Sequence, residues 1–212
     1  GGMQRQSPYP DFSQLGRRRT TGQQNAEAFT QHVESEKIEI VRGATPRQAR
    51  RRPDGTFALD IAVAGEAPRT IHAFALVIAT GTDFRSADWL DAVANARALV
   101  EAGRILIGPG AAGEPDADLG ARVLVVGGGD NAFDVTHHLV GTGRHVTIAS
   151  RAATHAQPVL AERIRADIAQ GRAAIRSGVS VKAVAEGPAG IAVRFDDGSA
   201  LDVDRIVLCL GY

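Results

Sequence analysis

Residues 122–135 read Arg-Val-Leu-Val-Val-Gly-Gly-Gly-Asp-Asn-Ala-Phe-Asp-Val. Within them, Gly127-x-Gly129-x-x-Ala132 has the spacing by which a backbone seats a diphosphate. Gly127 permits a tight turn out of a strand. Gly129 lacks the side chain that would hold a pyrophosphate away from the backbone, and Gly128 links the two. Ala132 is small enough for a new helix to pack on the strand it follows. Asp130 and Asn131, at the helix start, present backbone N–H groups at the positive end of the helix dipole. A glycine triplet alone is a weak signal. This one follows an apolar strand, opens a helix and is followed by a second strand, His145–Ser150, at βαβ distance, which makes it a dinucleotide site.

The remaining reactive side chains form no comparable constellation. His137 and His138 are adjacent, so on a helix they face different directions and cannot share a metal; one reads as surface and one as packing. With one cysteine and no paired histidine spacing, no metal site is expected, and there is neither an intrachain disulfide nor a C-x-x-C pair. Cys209, inside Ile206-Val207-Leu208-Cys209-Leu210, reads as a small buried hydrophobe. No Gly-x-Ser-x-Gly elbow occurs, and Tyr9 and Tyr212 lack the Lys partner of a short-chain dehydrogenase. No residue is nominated as acid, base or nucleophile, which suits hydride transfer, where the cofactor carries the chemistry.

The elements that must position this site can be read from periodicity. Gly1–Gly22 reads as loop, Gln24–Glu36 as a helix with Ala26, Ala28, Phe29 and Val33 on one face, and Lys37–Val41 as a short strand. Thr56–Val63 and Thr70–Phe74 read as strands joined by a turn at 65–68, and the apolar run from Ala75 to Thr82 as a buried strand ending at Gly81. Asp91–Ala102 reads as helix, and the wider 84–120 region as a connector. Val159–Ala169 is helical behind Pro158. Short strands follow at 173–176, 179–185, 190–195 and 200–203, with Asp196-Asp197-Gly198 as a hairpin turn, and Arg205–Tyr212 closes as a buried strand. The expected fold class is α/β: a Rossmann-like nucleotide-binding domain at 116–212, a parallel sheet with a small antiparallel meander, preceded at 1–115 by part of a second sheet domain.

The bulk composition excludes little else. In 212 residues, 24 basic side chains balance 24 acidic ones, so no nucleic-acid or anionic-membrane partner is expected. The runs Arg17-Arg18-Arg19 and Arg50-Arg51-Arg52 read as solvated loop or strand ends. No apolar run has transmembrane length and no signal peptide is visible, so a cytoplasmic location is the expectation.

The order of a strand ending Ala79-Thr80-Gly81, a G-x-G-x-x-A βαβ unit, a meander, and a strand ending Leu210-Gly211-Tyr212 resembles the two-dinucleotide-binding-domain flavoproteins, thioredoxin-reductase-like enzymes and flavin-dependent monooxygenases. The resemblance implies FAD and NAD(P)H as cofactors and hydride passage from nicotinamide to flavin and on to an electron acceptor. That acceptor, small molecule or protein, and a second copy of the chain are the partners it implies. It further implies that the chain's second domain is FAD-type and that Gly81 and Gly211 let strand ends pass close to the nucleotide. Three departures stand beside it. No first G-x-G-x-x-G precedes Ala75, no Gly-Asp motif follows the returning strand, and no Cys-x-x-Cys lies between Gly81 and Arg122. Gly1-Gly2 is read as the family's glycine pair in the FAD domain rather than a remnant before Met3.

Cofactor choice turns on the end of the second strand, where an acid would bind the ribose 2′-hydroxyl of NAD. Here Ser150 and Arg151 stand there without a carboxylate. Arg151 could pair a 2′-phosphate through charge-assisted hydrogen bonds, so NADP is favoured over NAD. The alternative to an enzyme is a non-catalytic NAD(P)-binding or regulatory module that has lost its flavin site.

Overall fold

The computed structural model describes residues 22–81, 84–113 and 118–211. The loop reading of the first 21 residues, with the Gly1-Gly2 pair, and Tyr212 lie outside these. The chain groups into two units, Ala28–Gly81 and a larger one of Thr82–Tyr212 that also takes in the residues up to Glu27.

The first helix, α1, spans Gly22–Ser35, close to its expected bounds. In the smaller unit, β1 (Ala44–Arg51), β2 (Phe57–Val63) and β3 (Arg69–Ala73) form an antiparallel sheet in that order. A Pro53-Asp54-Gly55 turn makes the first hairpin. Gly55 takes φ +83°, Arg52 N–H donates to Thr56 O at 2.8 Å, and Asp54 Oδ1 accepts from Thr56 N at 3.0 Å. Two expectations fail here. Lys37–Val41 is not a strand, because the edge of β2 is taken by Ala44–Arg51, and Ile38 and Ile40 stay exposed. Residues 75–81 are coil, with Val77 85% and Ile78 79% exposed. An apolar run becomes a buried strand only with ladder partners, and no described strand pairs with it.

The larger unit begins with α2 (Ala87–Ala92) and α3 (Ala96–Glu101). The single helix expected at 91–102 is broken at Asn95, which has φ +65°. Its backbone neighbour Ala94 bonds instead to β8 (Val181–Gly187), donating to Lys182 O and accepting from Val184 N. Next come β4 (Ile105–Ile107), α4 (Pro109–Ala112), β5 (Arg122–Val126), α5 (Asp130–Gly141), β6 (His145–Ser150), α6 (Pro158–Ala169) and β7 (Ala173–Ser177). β8, β9 (Gly190–Phe195) and β10 (Ala200–Val203) form the antiparallel meander, and β11 (Arg205–Leu208) closes the parallel sheet, whose order is β4-β11-β5-β6-β7. β4 pairs with β11. The stretch expected to be a connector therefore supplies an edge strand of the parallel sheet and groups with the larger unit.

β5 shows why a parallel strand reads as an unbroken apolar run. Val123 and Val125 enter one core with Phe133, Leu139, Ile148 and Ile164 under α5 and α6. Leu124 and Val126 enter another with Leu90, Leu99, Ile191, Val193 and Phe195 under the meander. Each such buried side chain contributes about 1.5–3 kcal/mol, so both faces hold β5 in place. Chain order reverses beside β5: β6 lies on one side and β11, returning through the meander, on the other. That switch point, at the carboxyl ends of the strands, is where open α/β sheets bind ligands.

Candidate functional site

The glycine loop leaves β5 at this switch point. Gly127 has φ +145°, its N–H donates to Ala149 O at 2.9 Å, and Cys209 N–H donates to Val126 O at 2.8 Å. A Cβ on Gly127 would lie 2.2 Å from Cys209 O, so glycine is required by the neighbouring backbone as well as by the turn. A Cβ on Gly128 would lie 2.4 Å from Ser150 Oγ. Gly129 differs: its φ of −101° is open to any residue, and a Cβ there would meet only His155, with Nε2 at 3.1 Å. Gly129 is the N-cap of α5, and no side chain caps the helix. Its orphan N–H groups are the kind that cradle an anion. Ala132 is fully buried against the sheet, as the close packing of α5 demands.

The predicted site residues separate on inspection. Gly127, Gly128, Gly129, Asp130, Asn131 and Ala132 are contiguous at the end of β5 and start of α5, and Ser150 and Arg151 lie beside them at the end of β6. Ser150 is 7% exposed, tucked under Gly128, so of that pair only Arg151 reaches solvent. Arg151 has no ion pair or hydrogen bond among the described residues, whereas Arg163 and Arg172 are held by Asp134 and Asp167. Gly211 follows β11 at this same end of the sheet, and its carbonyl accepts from Arg85 N at 2.9 Å. Gly81 lies in the smaller unit. Nothing lies within 4 Å of a Cβ on Gly81 or Gly211, and their positive φ values, +75° and +84°, account for the glycine.

Asp130 does more than meet the helix dipole. Its carboxylate accepts from Gln157 N and from Gln157 Nε2, each at 2.8 Å, clamping the 151–157 loop onto the helix start. His155 N–H adds a bond to Gly128 O at 2.8 Å. These contacts join residues up to 27 positions apart, and no periodicity announces them. The usable signal was the polar loop leaving β6, which must cross the glycine turn to reach α6.

His137 is exposed and His138 half-buried; burial holds the proton affinity of His138 below the usual histidine range, with Arg144 and His137 adding to it. Burial also pushes the Cys209 thiol up to about 12, leaving it protonated and unreactive. Among the described residues, no helix is long and apolar enough to cross a membrane.

Comparison with known proteins follows the same lines. The family model described as "Pyridine nucleotide-disulphide oxidoreductase" matches residues 6–212. No curated protein matches the chain. Among solved structures, it is similar to the thioredoxin reductase of T. acidophilum, at 17% identity and TM-score 0.76, over 100% of this chain and 66% of that one. It is similar to the bacillithiol disulfide reductase of Bacillus cereus, at 18% and 0.67, over 94% and 59%. It is also similar to the ornithine hydroxylase of Pseudomonas aeruginosa, at 16% and 0.65, over 93% and 61%. The chain thus spans 59% to 66% of those proteins' lengths, and at such identities the likeness speaks for the fold. With a glycine loop at the switch point of a parallel sheet and a family match over nearly its whole length, the chain belongs to the pyridine nucleotide-disulphide oxidoreductase family.

Proposed function

We propose that this chain is the NAD(P)H-binding portion of a flavin-dependent oxidoreductase and that its nucleotide is NADPH. The observation that carries the choice is Arg151, exposed at the carboxyl end of β6 and without an ion pair among the described residues, in a stretch from His145 to Ala161 that holds no carboxylate. The glycine loop fits a diphosphate, because its backbone is bare at Gly129 and the helix behind it is uncapped. In this reading Gly127, Gly128 and Gly129 shape the cradle, Asp130 and Asn131 offer backbone N–H groups, and Ala132 lets α5 approach the strand. Ser150 floors the loop, and Arg151 reads the 2′-phosphate. The bound nucleotide supplies the hydride.

The flavin half stands differently. Among the described residues, 75–81, the stretch likened to the flavin part, is exposed coil, and the strand–glycine–helix turn other than Gly127–Ala132, from β4 through Gly108, opens a helix of only four residues. Passage of the hydride to FAD, and onward to an acceptor, therefore rests on family membership alone. The same observation favours a second reading, a binding module without turnover. A yellow protein bleached by NADPH supports the enzyme; a colourless one that binds NADPH supports the module.

Arg151→Ala tests the cofactor choice. Loss of a charge-assisted phosphate contact should weaken NADPH about tenfold or more and leave NADH unchanged, as read by calorimetry. If the unaltered chain prefers NADH, or the variant binds NADPH as tightly, the NADPH assignment is wrong.

A further inference from the structure

We infer that His155 is a diphosphate-contacting residue, held over the glycine loop by a strap formed from residues 151–157. The inference rests on the pyridine-nucleotide reading above and adds a residue to it. The strap is tied at three points: His155 N–H to Gly128 O, and Gln157 N and Nε2 to the Asp130 carboxylate, all at 2.8 Å. Its ends are fixed by β6 and by α6, where Pro158 occupies the first turn. Of everything around Gly129, the imidazole comes closest to the space a side chain there would fill, Nε2 standing 3.1 Å from that position.

Electrostatics give this ring a purpose. A diphosphate seated on the first turn of α5 brings negative charge next to Asp130. Gln157 binds both oxygens of that carboxylate, which holds it against the strap. An anion arriving there still gains from a further donor, and a histidine carrying a proton on Nε2 supplies one. The diphosphate is common to NADH and NADPH, so His155 adds affinity without choosing between them. Arg151 would do the reverse.

The test titrates the full chain with NADPH, NADH and adenosine 2′-monophosphate, which lacks the diphosphate. His155→Ala should weaken both dinucleotides alike, about tenfold, and leave the monophosphate unchanged. His155→Gln, which keeps an N–H donor, should recover part of the loss. The inference is overturned if the unaltered chain binds the dinucleotides and His155→Ala binds them as tightly or more tightly. It is equally overturned if all three ligands weaken together, which would mark a merely structural strap. Failure of the unaltered chain to bind either dinucleotide would instead strike the nucleotide reading itself.

Discussion

Gly129→Val is expected to lower NADPH and NADH affinity more than a hundredfold while the chain stays folded, and the reason lies in how three consecutive glycines differ. At Gly127 the conformation is φ +145° and an added Cβ would sit 2.2 Å from the Cys209 carbonyl, backbone held in place by ladder bonds on both sides of β5. Gly127→Ala should therefore fail as a fold, costing about 3 kcal/mol or more. At Gly128 the obstacle is Ser150 Oγ at 2.4 Å, itself buried. Neither Gly128 nor Gly129 has a positive φ, but Gly129 has as its neighbour only the tip of an exposed histidine ring that can swing aside. A valine there costs the helix a cap residue worth about 1 kcal/mol and fills the space the diphosphate needs. Circular dichroism and thermal melting should report a folded variant, and calorimetry no nucleotide uptake. A variant that binds as tightly as the unaltered chain would mean the diphosphate does not sit on this loop.

Much of this site was legible in the sequence because its logic is local. The apolar run of β5, the glycine spacing, the start of α6 at Pro158 and the Asp196-Asp197-Gly198 turn are all set by neighbours within a few residues. What escaped depends on partners far along the chain. β1, Ala-Thr-Pro-Arg-Gln-Ala-Arg-Arg, has no apolar alternation and is exposed along nearly its whole length; only its ladder with β2 makes it a strand. Residues 75–81 are the converse, apolar enough for a core yet without a strand beside them. The break at Asn95 follows from bonds of Ala94 to β8, and the strap from bonds of Asp130 to Gln157. A period in the sequence reports which face a residue could bury. It cannot report whether a distant segment arrives to cover it.

The second large effect is expected at the opposite end of the sheet, where Asp204 joins β10 to β11. Its carboxylate accepts from Ala121 N and Arg122 N at 2.8 Å and from Arg122 Nη2 at 2.7 Å, and its own N–H donates to Arg122 O at 2.7 Å. Arg122 also donates to Ala189 O in the β8–β9 turn, so one carboxylate ties the start of β5 to β11 and to the meander. Gly120 must be glycine beside it, since a Cβ there would lie 2.4 Å from the Asp204 Cβ. The hydrogen bond from Arg122 and those from the two backbone amides hold the Asp204 carboxyl at about 2, below the usual carboxylate range. A depressed carboxylate stabilises the fold above its unfolded value and loses that contribution as pH falls through about 2. With the side chain 24% exposed, solvent screening leaves this pH-linked share at about 1–2 kcal/mol. Asp204→Ala also strands two backbone donors, so its total cost at pH 7 should reach about 3 kcal/mol in urea unfolding. Asp204→Asn, which keeps one acceptor, should fall between. Between pH 4 and pH 2 the unaltered chain should lose stability more steeply than either variant, because both lack the group that titrates. Parallel acid profiles for the three proteins would show that the Arg122 pair does not hold the central strands together.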